Sequence, residues 1–118
     1  EKRIAVLGLA FKANTDDMRN STSLSMIPAL KKKVAKITYY DPSGEKNEFS
    51  KLKNVAYSNS ILDACFNADL IIIHTEWDEF KTINFKKITN NKKLKIFDMR
   101  NLYSAELMKK QGFILEKY

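Results

Sequence analysis

Cysteine and histidine are nearly missing from this chain of 118 residues, which contains one of each. A single cysteine, Cys65, excludes an internal disulfide and fits a reducing compartment such as the cytoplasm. A single histidine, His74, cannot build a metal site without help from other residue types. We therefore expect a cytoplasmic protein that has no disulfide and binds no metal ion.

Long apolar runs are lacking as well. No stretch approaches the roughly 18 apolar residues that a transmembrane helix needs, and no signal peptide is recognisable. At this length we expect one domain, residues 1–118, with no membrane attachment. Because the chain starts directly on a strand pattern without an initiator methionine, we expect it to be part of a longer polypeptide.

Acidic residues are the minority, since 21 Lys and Arg against 14 Asp and Glu leave a net charge of +7. This balance could favour an anionic partner. The lysines are scattered over helix ends and turns, however, and aromatic residues are not interleaved with them as in a nucleic-acid footprint. We expect no nucleic-acid binding. A nucleic-acid-binding module remains an alternative function, and steep salt dependence of binding would reveal it.

Glycine is also scarce, with three residues in the chain. Residues 3–9 (RIAVLGL) are typical of a buried parallel strand that ends at glycine. In a dinucleotide-binding domain such a strand leads into G-x-G-x-x-G, whose glycines let a pyrophosphate approach the backbone. Here only Gly8 is present, and Ala10, Phe11 and Lys12 fill the loop. The loop therefore indicates a nucleotide site that uses side chains and is not the NAD-binding half of an enzyme.

The rest of the chain alternates between strand and helix patterns. Further strands are predicted at residues 36–40, 55–57, 69–74, 94–97 and 113–115, and helices near 24–34, 61–67, 85–88 and 105–111. This order predicts an α/β fold that is Rossmann-like and doubly wound, with a mostly parallel sheet and helices on both faces. Ligands of such sheets bind beyond the carboxyl ends of the strands. Three segments follow those ends, 9–12, 75–77 and 98–101, and we expect them to lie together.

Local signals refine the helices. Residues 20–23 (Asn-Ser-Thr-Ser) are predicted to cap the first helix, and Pro28 predicts a kink or a late start. Ser60 with Asp63 resembles a capping box, and Gly112 is predicted at the C′ position of the last helix. The predicted apolar positions of the first helix are Leu24, Ile27, Leu30 and Val34. Those of the second are Ile61, Leu62 and Cys65, the last of these as a core thiol.

The same three segments carry a specific resemblance. They read G-L-A-F-K-x-x-T-D-D-x-R at 8–19, T-E-W-D-E-F at 75–80 and F-D-M-R-N at 97–101. In order and spacing they resemble the C-terminal, UDP-binding domain of the UDP-glucose/GDP-mannose dehydrogenase family, over nearly the whole chain. The T-E-W segment is most similar to the UDP-glucose 6-dehydrogenase branch.

The resemblance implies the nucleotide-sugar-binding half of an NAD-dependent enzyme that oxidises UDP-glucose to UDP-glucuronate in two hydride transfers. It also implies that the catalytic cysteine, the central dimerising helix and the domain that mainly binds NAD lie outside this chain. No catalytic residue is then expected here, and the chain alone should be inactive. The implied partners are UDP-glucose or a related nucleotide sugar, NAD, the remaining domains of the same polypeptide and further copies in a homo-oligomer.

By the same resemblance, Phe11, Lys12 and Arg100 contact the UDP-sugar, Phe11 largely through its backbone and Lys12 through its ammonium group. Arg19 is expected to approach the NAD pyrophosphate that is bound on the other domain. From the residues alone, Arg19 could instead pair with a neighbouring aspartate, and Arg100 with Asp98. The family often has glycine immediately before the second arginine, where this chain has methionine, so the backbone there could be displaced.

Other polar and aromatic residues are interpreted structurally. Asp41 precedes Pro42 and is predicted to start a turn, not to bind an adenosine ribose. Trp77 is predicted to pack, and His74 to be a buried, hydrogen-bonded imidazole. Two alternative functions remain open: a sister dehydrogenase acting on a UDP-N-acetylhexosamine or GDP-mannose, and a stand-alone nucleotide-binding or regulatory module.

Overall fold

Short runs rich in β-branched and aliphatic residues form one parallel sheet. The structure is a computed structural model that describes residues 2–33, 36–88 and 93–117. Its strands are β1 (Arg3–Leu7), β2 (Lys36–Tyr40), β3 (Val55–Tyr57), β4 (Leu70–Ile73), β5 (Lys95–Asp98) and β6 (Ile114–Lys117). They lie in the order β3-β2-β1-β4-β5-β6, and all five pairings are parallel. This is the strand order of a Rossmann fold, so the predicted fold class is confirmed.

The connections cover both faces of the sheet. The helices are α1 (Ser23–Lys31), α2 (Ile61–Cys65), α3 (Phe85–Ile88) and α4 (Ala105–Lys110), with single 3₁₀ turns at Asn47–Phe49 and Asp78–Phe80. The helix α1 buries Ile27 in the apolar cluster on one face, and the other three helices bury Cys65, Phe85 and Met108 on the opposite face. The sheet is therefore doubly wound, as predicted.

The topology creates one switch point. After β1 the chain runs outward to β2 and β3, and it then returns to place β4 on the other side of β1. Residues 5–7 of β1 and residues 71–73 of β4 are all buried, whichever face of the sheet their side chains occupy. Burial on both faces is typical of central parallel strands. The loops that follow these two strands diverge at the same edge, where open α/β sheets bind ligands.

The first helix differs from its predicted form in three respects. It begins at Ser23 with Pro28 inside it, which excludes the late start and leaves the kink as the remaining prediction for Pro28. The N-cap residue Thr22 makes no side-chain cap hydrogen bond, and the hydroxyl of Ser21 accepts from the N–H of Ser23 instead. Leu24 is exposed, contrary to its predicted core position. Val34 lies outside the described residues.

Helix α2 begins as predicted, because the hydroxyl of Ser60 accepts from the N–H of Asp63 at 3.1 Å. Cys65 is fully buried, which confirms the core thiol, and burial raises the pKa of that thiol to about 12. Leu62 is 53% exposed, so its predicted core position is wrong. Ile61 and Cys65 are four residues apart and share a face, whereas Leu62 is rotated about 100° away from Ile61.

The last helix ends as its sequence predicts. Gly112 has φ +86°, and its N–H donates to the carbonyl of Lys109 at 3.0 Å. The N–H of Phe113 donates to the carbonyl of Met108 at 3.1 Å, which completes the cap. Strand β6 then forms the predicted edge of the sheet. Among the described residues, no helix is long and apolar enough to cross a membrane.

Candidate functional site

The three segments that follow strand ends meet at the switch point. The hydroxyl of Thr75 donates to the carbonyl of Ala10 at 2.9 Å, which ties the loop after β4 to the loop after β1. The Nε of Arg100 donates to the carbonyl of His74 at 2.7 Å, which ties the loop after β5 to the end of β4. The predicted meeting of these segments is therefore confirmed.

The loop after β1 starts at a position that only glycine fits. Gly8 has φ +82°, a left-handed conformation that disfavours any residue with a Cβ. A Cβ built on it would lie 2.6 Å from the Cβ of Thr75. The N–H of Gly8 donates to the carbonyl of Tyr40 at 2.8 Å, so the loop leaves the sheet at a fixed angle.

Hydroxyl groups hold the loop through its carbonyl oxygens. The Leu9 carbonyl accepts from the hydroxyls of Ser21 and Ser23 at 2.6 and 2.8 Å. Both serines are buried at the start of α1, and their hydroxyls secure the loop. The Ser21 hydroxyl in addition accepts from the N–H of Ser23. The sequence pattern predicted these serines only as helix caps, since a hydrogen bond to a residue 12 or more positions away leaves no periodic signal.

A carboxylate holds the same loop through its N–H groups. The Oδ2 of Asp41 accepts from the N–H groups of Leu9 and Ala10 at 2.7 and 3.2 Å. The Oδ1 accepts from the N–H and the hydroxyl of Ser43 at 2.8 and 2.6 Å, which confirms the predicted aspartate turn. The Asp-Pro-Ser-Gly sequence predicted the turn at Asp41 but not the hydrogen bonds of Asp41 to the β1 loop.

His74 is buried, and both of its ring nitrogens have partners. Its Nε2 lies 2.8 Å from the hydroxyl of Thr22, and its Nδ1 lies 3.0 Å from the hydroxyl of Thr75. Because Thr75 uses its single proton toward the carbonyl of Ala10, Nδ1 must carry the proton and Nε2 must accept from Thr22. Burial, with the positive charge of Arg100 adding to it, lowers the pKa of His74 to about 4. The predicted satisfied imidazole is confirmed.

The two residues after this fixed loop are exposed. The N–H of Phe11 donates to the carbonyl of Asp17 at 2.8 Å, so its backbone is anchored, while the residue is 46% exposed. Lys12 is exposed next to it. An anchored loop that ends in an exposed ring and an ammonium group can offer a flat surface and a positive charge to an anionic ligand.

Arg19 forms a two-pronged pair with Asp17. Its Nε and Nη2 donate to the two carboxylate oxygens at 3.0 and 2.9 Å, and its backbone N–H donates to the same carboxylate at 2.9 Å. These bonds lower the pKa of Asp17 to about 2 and raise the pKa of Arg19. The Arg19 side chain is 88% exposed, so the pairing alternative is realised at the surface with most of the side chain in solvent.

Arg100 pairs with Glu76, not with Asp98. Its Nε lies 3.4 Å from the Glu76 carboxylate, in addition to its bond to the carbonyl of His74. The buried carboxylate of Asp98 accepts from the backbone N–H groups of Arg100 and Tyr103 at 3.1 and 2.9 Å and thereby shapes the turn. Met99 continues the sheet through its N–H to the carbonyl of Ile73. The methionine is thus accommodated within the ladder.

An open groove lies beside this site. Its volume is about 560 Å³, and it is lined by Asn14, Thr15, Asp16, Ser43 and Trp77. Trp77 is half-buried and packs against the apolar cluster on the α2 face, which confirms its predicted packing role. Within the described part of the chain, no three His, Cys, Asp or Glu side chains are grouped closely enough to hold a metal ion.

Comparison with known proteins identifies a family that matches most of the chain. Residues 5–105 match the profile described as UDP-glucose/GDP-mannose dehydrogenase family, UDP binding domain. The chain is 43% identical over 115 residues to a UDP-glucose 6-dehydrogenase of Rickettsia conorii, covering 95% of this chain and 27% of that protein. It therefore spans about a quarter of the length of the curated relatives that it matches.

Solved structures agree. A UDP-D-ManNAc dehydrogenase from Pyrococcus horikoshii superposes with a TM-score of 0.75 at 33% identity, covering 99% of this chain and 25% of that one. A UDP-glucose dehydrogenase from Pyrobaculum islandicum gives a TM-score of 0.76 at 25% identity, covering 98% and 24%.

Proposed function

Since this chain belongs to the UDP-glucose/GDP-mannose dehydrogenase family, we propose that it is the nucleotide-sugar-binding half of an NAD-dependent UDP-glucose 6-dehydrogenase. In this proposal it is the C-terminal domain of a longer polypeptide that converts UDP-glucose to UDP-glucuronate. The relatives with this name match nearly the whole chain at 38–43% identity in five of the most similar cases.

One observation carries the proposal. The loop after β1 is held at its carbonyls by hydroxyls and at its N–H groups by a carboxylate, and it leads directly to the exposed Phe11 and Lys12. A ligand that meets a fixed loop loses little additional conformational entropy on binding. We propose that Lys12 binds the diphosphate of the nucleotide sugar and that the anchored backbone of Phe11 contacts the same ligand.

Arg100 supplies a second cation at the same edge. Its guanidinium is held by the His74 carbonyl and the Glu76 carboxylate, and its side chain is 37% exposed. A planar guanidinium offers N–H groups in a fixed fork that suits phosphate and hydroxyl oxygens. We propose that Arg100 contacts the UDP-sugar from the β5 side while Lys12 contacts it from the β1 side.

NAD does not fit the β1 loop of this chain. The loop lacks G-x-G-x-x-G, and the N–H groups of Leu9 and Ala10 already bond to Asp41. NAD, which accepts the two hydrides, would therefore be held mainly by another domain. We propose that Arg19, exposed in its pair with Asp17, reaches toward that pyrophosphate and that this chain alone has no dehydrogenase activity. The complete enzyme would act in the cytoplasm as a homo-oligomer.

The second candidate is a sister dehydrogenase. The match to the UDP-D-ManNAc dehydrogenase from Pyrococcus horikoshii favours it, because that protein is 33% identical over almost this whole chain. The two candidates share the β1 loop and differ in the sugar, so turnover by the intact polypeptide on each nucleotide sugar separates them. A third candidate, a nucleotide-binding or regulatory module without a catalytic partner, predicts binding of UDP and no turnover by any longer form of the polypeptide.

The test is titration of this chain with UDP, UDP-glucose, GDP-mannose and NAD by isothermal calorimetry. We expect the UDP compounds to bind and NAD to be silent. Lys12→Ala should weaken UDP binding about 10- to 100-fold, because a charge-assisted hydrogen bond is lost. Lys53→Ala is the matched control, since Lys53 is exposed just before β3, at the opposite edge of the sheet. Equal weakening by both variants, or tighter binding of GDP-mannose, would contradict the assignment.

A further inference from the structure

The β1 loop of this chain binds an anion, and the anion belongs to the protein. In a Rossmann domain the first turn after β1 presents backbone N–H groups to the pyrophosphate of the dinucleotide. Here the N–H groups of Leu9 and Ala10 converge in the same way on one oxygen, the Oδ2 of Asp41. The carboxylate is fully buried, and both N–H groups lie in residues that are fully buried as well.

The second carboxylate oxygen is equally engaged. It accepts from the N–H and the hydroxyl of Ser43, and the Nζ of Lys46 lies 3.9 Å away. Lys46 is 4% exposed, and its ammonium group also donates to the hydroxyl of Ser43. A buried carboxylate is tolerated where donors and a counter-charge surround it. With four donors and one buried cation, Asp41 has no capacity left for an external ligand.

Strand register explains why this residue reaches the loop. Leu7 in β1 pairs with Tyr40 in β2, so Asp41 leaves β2 at the level where the loop leaves β1. In NAD-binding domains an acidic residue near this strand end faces outward to a ribose hydroxyl. Here the carboxylate faces inward to the loop.

We propose that Asp41 is a positioning residue that acts as an internal substitute for the ligand phosphate of a Rossmann loop. Its carboxylate fixes the loop that presents Phe11 and Lys12, and it excludes a dinucleotide pyrophosphate from the N–H groups of Leu9 and Ala10. The nucleotide diphosphate must then be bound further along, by side chains. The identity of the ligand as a nucleotide diphosphate rests on the proposed function, whereas the role of Asp41 as an internal anion rests on its hydrogen bonds alone.

Chemical rescue by a small anion tests the proposal. Asp41→Ala removes the carboxylate and leaves two loop N–H groups facing a cavity. We expect this variant to melt at a lower temperature than the unsubstituted chain. Sodium formate should recover about half or more of that loss in melting temperature, whereas sodium chloride at equal ionic strength should recover little of it. In amide NMR spectra of this variant, the signals of Leu9 and Ala10 should shift on addition of formate or of inorganic phosphate. The unsubstituted chain should show neither effect.

Asp78→Ala is the matched control, because the Asp78 side chain is 87% exposed and the same chemical group is lost. Formate should not raise its melting temperature beyond the effect of chloride. If formate and chloride act equally on Asp41→Ala, or if Leu9 and Ala10 do not shift, the internal-anion role is overturned. If Asp41→Ala unfolds in chloride, recovery of the folded spectrum in formate scores as rescue. If neither Asp41→Ala nor Asp41→Asn recovers the folded spectrum in formate, the result counts against the internal-anion role.

The positioning role has its own readout. We expect Asp41→Ala to lose UDP affinity in chloride and to regain it in formate. Rescue of folding without recovery of UDP affinity would overturn the positioning role. If the unsubstituted chain does not bind UDP although formate still rescues Asp41→Ala, the proposed function fails and the internal anion stands.

Discussion

Gly8 and Thr75 pack so closely that a Cβ atom added to Gly8 would lie 2.6 Å from the Cβ of Thr75. This contact joins the ends of the two central strands, and the hydroxyl of the same threonine holds the next part of the β1 loop through the carbonyl of Ala10. The glycine is therefore required by tertiary packing as well as by its φ of +82°. The proposed ligand loop depends on both.

Gly8→Ala should destabilise the fold by about 2–4 kcal/mol, because backbone strain adds to overpacking against Thr75. Urea unfolding measures the change. Gly44→Ala is the matched control: Gly44 also has a positive φ, +103°, but no atom lies within 4 Å of an added Cβ. It should cost about 1 kcal/mol, from strain alone. Similar losses in both variants would show that the contact with Thr75 is unimportant.

His74 should titrate far below an ordinary histidine. The chain has one histidine, so the imidazole C–H signals in the NMR spectrum report its pKa without overlap from other histidines. We expect a midpoint near 4 instead of 6.5, because burial disfavours the imidazolium. A midpoint above 6 would contradict the buried hydrogen-bond chain from Thr22 to Ala10.

The same pKa predicts a pH dependence of stability. Because the folded pKa is lowered, the unfolded chain binds more protons between about pH 6.5 and pH 4, and stability falls as the pH falls through that window. His74 should account for a loss of about 2 kcal/mol between pH 7 and pH 5. Urea unfolding of the unsubstituted chain and of His74→Gln, each at pH 7 and pH 5, isolates the loss of stability that is due to His74. The variant should lack it even if the variant is less stable throughout.

Arg19→Gln should raise the pKa of Asp17 from about 2 toward its ordinary value of 3.8, because the two-pronged hydrogen bond is lost. In the unsubstituted chain, the stabilising effect of this pair is present at neutral pH and is lost as the pH falls through about 2. Carboxyl-carbon NMR titration measures the shift. Lys81→Gln breaks a comparable surface ion pair with Asp78 and should leave the pKa of Asp17 unchanged. An equal shift in both variants would point to a general charge effect.

Arg100→Lys should weaken UDP-sugar binding about tenfold although the charge is kept, since one ammonium group cannot reproduce the fork of a guanidinium. The lysine also loses the Nε donor that bonds to the carbonyl of His74. Calorimetry with UDP-glucose measures the effect. Arg3→Lys is the control, because Arg3 lies at the amino end of β1, away from the site. Unchanged affinity in Arg100→Lys would remove this residue from the proposed site.

Local sequence determined the elements of this fold and their order. Apolar runs separated by turn residues predicted all six strands to within a few residues, and strand-helix alternation predicted the parallel, doubly wound sheet. The same topology predicted that the segments after β1, β4 and β5 meet. These features follow from periodicity and from turn chemistry, which act over a few neighbouring residues.

Tertiary structure alone decided which side chain meets which backbone group. The sequence assigned Asp41 to a turn and Ser23 to a helix cap, yet both hold the β1 loop from positions 32 and 14 residues away from Leu9. It left open whether Arg100 pairs with Asp98, and the fold gives it Glu76. Such contacts depend on strand register and loop direction. A hydrogen bond between distant positions imposes no periodic pattern on the chain, so only the assembled sheet specifies it.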